Sequence, residues 1–259
     1  MDQSDTSFTR RRMLGMGAAT AALIVTGCST GQSAGTPART VEPSVRPTTP
    51  SADRPSSTPT GPAVQVARAS TGRPQVALTF HGAGELGIAR QIHDVLGAAG
   101  AKATIMAVGT WLATSPDGIR MFHDSGHEIG NHTWSHGIMA DMSANRTLTE
   151  IVRCRDKLVD LVGTPGDFFR QSSAQRATER ELVEAGVAGY RRVLSYDIDG
   201  LDWKDPGPAV IRRAVATATA GSIVSLHLGH QGTVIALPHI LDDLAARGLT
   251  PVTATELLR

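Results

Sequence analysis

His132-Thr133-Trp134-Ser135-His136 sets two imidazoles four residues apart. On one helical turn that spacing turns both rings to the same side, where they can share one metal ion. His123 and His127 repeat the spacing, so the pair alone is a weak signal. Its context strengthens it. Residues 128–131 read as a short strand that ends at the pair. Ile223-Val224-Ser225-Leu226-His227 puts another imidazole at the end of an apolar strand, and Thr79-Phe80-His81 puts one more. Arg170 follows Phe168-Phe169, and Asp199-Gly200-Leu201-Asp202-Trp203 follows a strand ending near Tyr196. Strand ends that offer His, Asp, Arg and Trp are hard to explain as core. They suit a single site assembled from several loops.

The elements that must carry these residues follow from hydrophobic spacing. Residues 75–80, 103–108, 168–169, 192–196, 222–226 and 251–253 are short apolar runs of strand type. Ile88, Ile92, Val95 and Leu96 recur at helical spacing before Gly97 and Gly100. Ile151, Cys154, Leu158 and Leu161 make one stripe of a helix over 149–161, and Cys154 there is expected as a buried structural thiol. Further helices are expected over 179–185, 208–219 and 237–247, with Ser115-Pro116 as a helix start. Alternating strands and helices imply a parallel sheet covered on both faces. Six or seven units are too few for a full eightfold barrel. The expected fold is α/β, a distorted and incomplete (β/α) barrel of about seven parallel strands, ahead of an open doubly wound sheet.

Composition narrows the function. The 259 residues carry a formal net charge of +1, which argues against a nucleic-acid binder. Two cysteines, Cys28 and Cys154, give no disulfide framework. Seven of the 14 prolines fall between Pro37 and Pro62, so the chain is not uniform. Residues 29–74 are read as a Ser/Thr/Pro-rich linker that cannot offset the entropy of ordering. Ahead of it, Arg10-Arg11-Arg12 precedes an apolar run too short to span a bilayer. The arginines resemble a twin-arginine export signal, and Val25-Thr26-Gly27-Cys28 resembles a bacterial lipobox. The domain plan is therefore an export signal with lipobox over 1–28, the linker over 29–74 and a catalytic domain over 75–259. Lipidation at Cys28 would anchor the chain to the outer face of a membrane, within reach of a cell wall. No protein partner is expected.

Gly126-His127-Glu128-Ile129-Gly130-Asn131-His132-Thr133-Trp134-Ser135-His136 resembles the NodB-like polysaccharide deacetylases, carbohydrate esterase family four. Phe169-Arg170, Asp202-Trp203 and Leu226-His227 follow in the family's order. The resemblance covers the chain from Gln75 to Arg259. It implies a divalent metal, zinc as the usual ion, on His132 and His136. It implies His227 as the general acid, Asp202 as its hydrogen-bonding partner and Arg170 as the residue that orients the base. Trp203 and Leu226 would wall the acetyl pocket. The implied substrate is an acetylated polysaccharide, and export points to a cell-wall glycan such as peptidoglycan. Two rival functions stand beside this: an inactive surface lipoprotein that binds glycan, and a deacetylase of small or O-acetylated molecules.

The first motif departs from the family. Thr-Phe-Asp-Asp-Gly-Pro is here Thr79-Phe80-His81-Gly82-Ala83-Gly84, so the family's base and its third ligand are both missing. Gln171 also replaces the usual proline after Arg170. In one reading His81 is the third ligand. Three neutral imidazoles leave the ion its full charge, and water on such an ion titrates near pH 7. In another, His81 is the base and Glu85 or Asp199 completes the metal shell. In the third, catalysis is lost and only glycan binding remains. His230, three residues beyond His227, is a candidate for substrate contact.

Overall fold

A computed structural model describes residues 61–70 and 72–259. The export signal, the lipobox with Cys28 and most of the linker lie outside the described residues. In chain order the strands are β1 (Val64–Val66), β2 (Gln75–Gly82), β3 (Thr104–Ala107), β4 (Glu128–Asn131), β5 (Phe168–Phe169), β6 (Arg192–Leu194), β7 (Ile198–Asp199), β8 (Ile223–His227) and β9 (Thr250–Val252). The helices are α1 (Leu86–Ala98), α2 (Gly109–Thr114), α3 (Pro116–Asp124), α4 (Ala144–Val162), α5 (Glu179–Val187), α6 (Pro208–Val215), α7 (Gln231–Ala246) and α8 (Ala254–Leu257).

Among the described residues, all nine strands join one sheet in the order β1-β6-β5-β4-β3-β2-β8-β7, with β9 on β2. Every ladder between them is parallel. The sheet curls into a half-barrel, so the expected α/β fold with a distorted barrel holds. Ala77 pairs with both Ile223 and Val252, so β9 lies on the edge of β2 opposite β8, ahead of β3.

Strand alternation divides the core into two layers. Val76, Leu78 and Phe80 of β2 join Val224 and Leu226 of β8 in the large cluster beneath the helices. Ala77 and Ile223 turn the other way, with Met106, Phe168 and Leu194 inside the curl. Thr79, His81, Ser225 and His227 continue that inner row toward the C-terminal end of the strands.

Three expectations need correction. The linker does not run to residue 74: Ala63 is buried, β1 pairs with β6, and Arg68 bridges antiparallel to Ser222. A three-residue strand within a polar, Pro-rich stretch gives too little pattern to see. Residues 132–136 are not a helical turn. They follow β4 as an irregular loop in which Thr133 and His136 take φ of 67° and 57°. Helix α7 also starts earlier than Leu237, at Gln231, with Pro238 inside it.

Candidate metal centre and histidine–aspartate pair

Parallel register brings the imidazoles together. His81 and His227 are ladder partners on β2 and β8, and His132 follows directly on β4. His132 Nε2 lies 3.0 Å from His81 Nδ1. Ligand atoms of His81, His132 and His136 all fall within 4.8 Å of one another, the one such group of His, Cys, Asp or Glu among the described residues. His132 is fully buried and His136 is the most exposed of the three.

The donor set fits a divalent cation. His132 Nδ1 lies 3.0 Å from the Arg170 carbonyl oxygen. A carbonyl only accepts, so the proton sits on Nδ1 and the Nε2 lone pair faces His81. His81 Nε2 meets Ser225 Oγ at 3.2 Å, which leaves Nδ1 free to serve as the ligand atom. Burial lowers the pKa of His81 well below the ordinary value, assisted by the charges of His132, His227 and Arg170. Burial does the same for His132 and, less strongly, for His136. All three are therefore neutral at pH 7, as ligands must be.

The loop carrying His132 and His136 is held from three sides. Asn131 Oδ1 accepts from Thr133 N at 3.0 Å, while its Nδ2 donates to Ile151 O and Tyr190 Oη. Glu150 of α4 accepts from Trp134 N, Ser135 N and Ser135 Oγ at 3.0, 2.7 and 2.9 Å. Trp134 lies under the Arg153 guanidinium, 3.7 Å from its ring centre. A Cβ at Gly109 would stand 2.3 Å from the Trp134 ring, so only glycine lets α2 close on the loop. Glu150 and Ser225 were missed in the sequence. A glutamate on a helix reads as a solvated face, and a serine within an apolar strand carries no motif.

Opposite the cluster, His227 Nδ1 is 2.7 Å from Asp202 Oδ1. Asp202 is fully buried, and its Oδ2 also accepts from His227 N at 2.8 Å and Thr233 Oγ1 at 2.6 Å. The His227 and His81 rings are 4.2 Å apart, centre to centre. Arg170 is fully buried beneath, with Nε on Leu194 O at 2.6 Å and Nη2 on Ser195 O at 3.3 Å. Its Nη1 has no hydrogen-bond partner among the described residues. Burial lowers its pKa to about 9, so the guanidinium stays charged at pH 7. No carboxylate base receives it, in keeping with the missing aspartates of the first motif.

Several assignments change. Leu226 does not share a face with His227. It packs in the helix-side core against Gly200, because adjacent strand residues point to opposite sides. Ser225 is its counterpart on the inner face. Trp203 is 51% exposed, on a 3-10 turn (Asp202–Lys204), with Nε1 on Asp199 Oδ2. Glu85 is exposed and Asp199 accepts from Leu201 N, so neither belongs to the metal cluster. Gly82 faces away from the centre, where a Cβ would stand 3.0 Å from Ala107 Cα. His127 is buried as a structural residue, its Nδ1 accepting from Ala103 N. Trp111 is core.

A curled parallel sheet that gathers histidines from separate strand ends around one centre makes this an α/β half-barrel protein with a candidate metal centre at the C-terminal strand ends. The comparisons agree. The family of polysaccharide deacetylases matches residues 68–192. A peptidoglycan-N-acetylglucosamine deacetylase of Bacillus cereus is 32% identical over 195 residues, covering 71% of this chain and 88% of that protein. An uncharacterised 30.6 kDa protein of Geobacillus stearothermophilus is 29% identical over 180 residues, 68% of each chain. Among solved structures, the Bc1960 peptidoglycan N-acetylglucosamine deacetylase aligns with TM-score 0.71 at 27% identity, covering 76% of this chain and 93% of that one. A Bacillus anthracis chain described as a pseudoenzyme of carbohydrate esterase family 4 aligns with TM-score 0.71 at 23% identity, over 76% and 69%, a likeness of fold. This chain belongs to the polysaccharide deacetylase family.

Proposed function

We propose that this chain is a metal-dependent hydrolase that removes acetyl groups from an N-acetylated cell-wall glycan, peptidoglycan being the substrate its relatives suggest. The observation that supports it most is the convergence of His81, His132 and His136 opposite the His227–Asp202 dyad. These three imidazoles would hold a divalent cation, zinc by donor type. Bound there, the ion supplies Lewis-acid polarisation of the acetyl carbonyl and acidifies the attacking water.

The chain's own groups move the proton. Asp202 accepts from Nδ1–H of His227, so Nε2 of the neutral ring has the lone pair. That nitrogen takes a proton from the attacking water and returns it to the departing amine. Asp202, buried and already holding three donors, stabilises the imidazolium formed in between. His227 is then general base and general acid in one ring, which suits a site lacking a carboxylate base. Arg170 helps keep His81 unprotonated and therefore a ligand.

The test is acetate release from N-acetylated chito-oligosaccharides and from peptidoglycan by the zinc-loaded chain. Release that a chelator abolishes is expected. A chain that holds the metal and binds glycan yet frees no acetate would favour the second reading, a glycan-binding lipoprotein. The absence of carboxylates at positions 81 and 82 is what favours that reading. Export and anchoring through Cys28 belong to the same proposal: Cys28→Ala should move the protein from the membrane fraction to the soluble one. An unchanged distribution would remove the anchor.

A further inference from the structure

Five imidazoles form a row. From His136 to His132, His81, His227 and His230, successive ring centres are 4.7, 4.1, 4.2 and 5.7 Å apart. The first three make the metal centre and the fourth moves the proton. The fifth has no use in that chemistry, yet it repeats the arrangement of the fourth. His230 Nδ1 stands 2.7 Å from Asp205 Oδ1, three residues on from the His227–Asp202 pair in both segments. The pairs differ in exposure. Asp202 is closed off, whereas the Asp205 and His230 side chains are 72% and 24% exposed.

Nothing in the fold accounts for the second pair. His230 is the N-cap of α7 but makes no side-chain cap bond. Asp205 holds φ at 48°, a left-handed conformation that a non-glycine residue adopts at some cost. Trp203, two residues before Asp205, presents a half-exposed indole on the same loop.

We propose that His230, oriented by Asp205, is a substrate-positioning residue that accepts a hydrogen bond from a sugar hydroxyl beside the scissile acetamide. This rests on the deacetylase reading. With Nδ1–H donated to the carboxylate, Nε2 carries a lone pair. An acceptor held in one orientation matches a hydroxyl, which an N-acetylglucosamine unit within a 1,4-linked chain keeps at C3 and C6. Its place is one ring beyond the proton carrier, 5.7 Å away and partly exposed, so a glycan held at the metal centre and His227 would meet it on extending along the row. The ligand class is an oligosaccharide of at least two sugars.

The experiment compares wild type, His230→Ala, His230→Gln and Asp205→Ala as full, zinc-loaded chains. Steady-state acetate release from N-acetylated chitotetraose and calorimetric binding of its fully deacetylated product are both measured. Expected for His230→Ala is a KM about tenfold higher with kcat within about threefold, and binding weaker by about tenfold. Asp205→Ala should fall between, and His230→Gln, which keeps an acceptor, should recover part of the loss. An unchanged KM with unchanged binding, or a fall in kcat alone, overturns the subsite. If wild type frees no acetate, the deacetylase reading fails and binding alone decides. Weaker binding by His230→Ala then supports the subsite, and equal or absent binding removes it. Matching thermal midpoints of the four proteins separate positioning from folding.

Discussion

Ser225 lies where two proton arrangements meet. Without a cation, His81 Nδ1–H can donate to His132 Nε2, and Ser225 Oγ–H then donates to His81 Nε2. With a cation, both facing lone pairs are needed for the ion, so the His81 proton moves to Nε2 and Ser225 Oγ accepts it. A hydroxyl serves both states because it can rotate. Ser225→Ala is therefore expected to weaken metal binding by about 10- to 100-fold, the range for groups that orient a ligand from behind. Competition against a chromophoric chelator measures it, and equal affinity would remove the hydroxyl from the account. Asp202 is read out differently. Asp202→Asn leaves shape but loses the charge behind His227, and acetate release should fall by about 10²–10⁴ with metal content intact. A normal rate in that variant would take proton transfer away from His227. Sequence made His132, His136 and His227 legible because motif spacing carried them. It assigned Leu226 wrongly because a motif gives order along the chain, whereas facing is set by strand parity.

Helix α4 and strand β4 act as a unit. Glu150 reaches across to tie the backbone of residues 134 and 135, which no helix or sheet ladder serves. Without it the N–H of half-buried Trp134 and the N–H of exposed Ser135 would lose a charged acceptor, and such bonds contribute about 1.5–3 kcal/mol each. Glu150→Ala should lower stability by about 2–4 kcal/mol in urea titration and weaken metal binding through His136. Intact metal affinity would show that the loop holds itself. At the other end of β4, burial and the nearby Lys102 charge lower the His127 pKa to about 4. The unfolded chain takes up its proton first as pH falls below about 6.5. His127 thus favours the fold fully above that pH, and the contribution is lost as pH drops toward 4. His127→Asn should flatten the pH dependence of the urea midpoint in that window. The paired strand ends were foreseeable from apolar runs and turn residues. The left-handed bends at Thr133 and His136 were not, since neither residue type demands φ above zero.

At the scale of the whole molecule, the segment from residue 61 to Arg68 closes what the expected boundary at 75 would leave open. Ala63 N donates to Leu182 O at 2.8 Å, β1 completes the edge of β6, and Ser195 N donates to Val66 O at 2.7 Å. Arg68 then joins Asp197, Ser222, Thr219 and Ala220 at 2.7–3.0 Å. One short run of chain therefore links α5, β6 and the approach to β8, elements that no other described strand connects around that side. Arg68 is about half-exposed, so its ion pair alone contributes little, and the backbone pairing matters more. A chain beginning at residue 61 is expected to keep the urea midpoint of the full protein. A chain beginning at residue 75 should lose β6 pairing and the Ala63 packing, and its midpoint should drop, with the half-barrel open between β6 and β8. Zinc should stabilise the first chain by about 2.7 kcal/mol at a hundredfold excess over Kd, and so raise its midpoint. It should raise that of the second less, because Arg170, whose carbonyl fixes His132, bonds through its guanidinium to Leu194 and Ser195 at the end of β6. Equal midpoints and equal zinc shifts for the two chains would mean that β1 is an ornament on the sheet and that the metal centre is built without it.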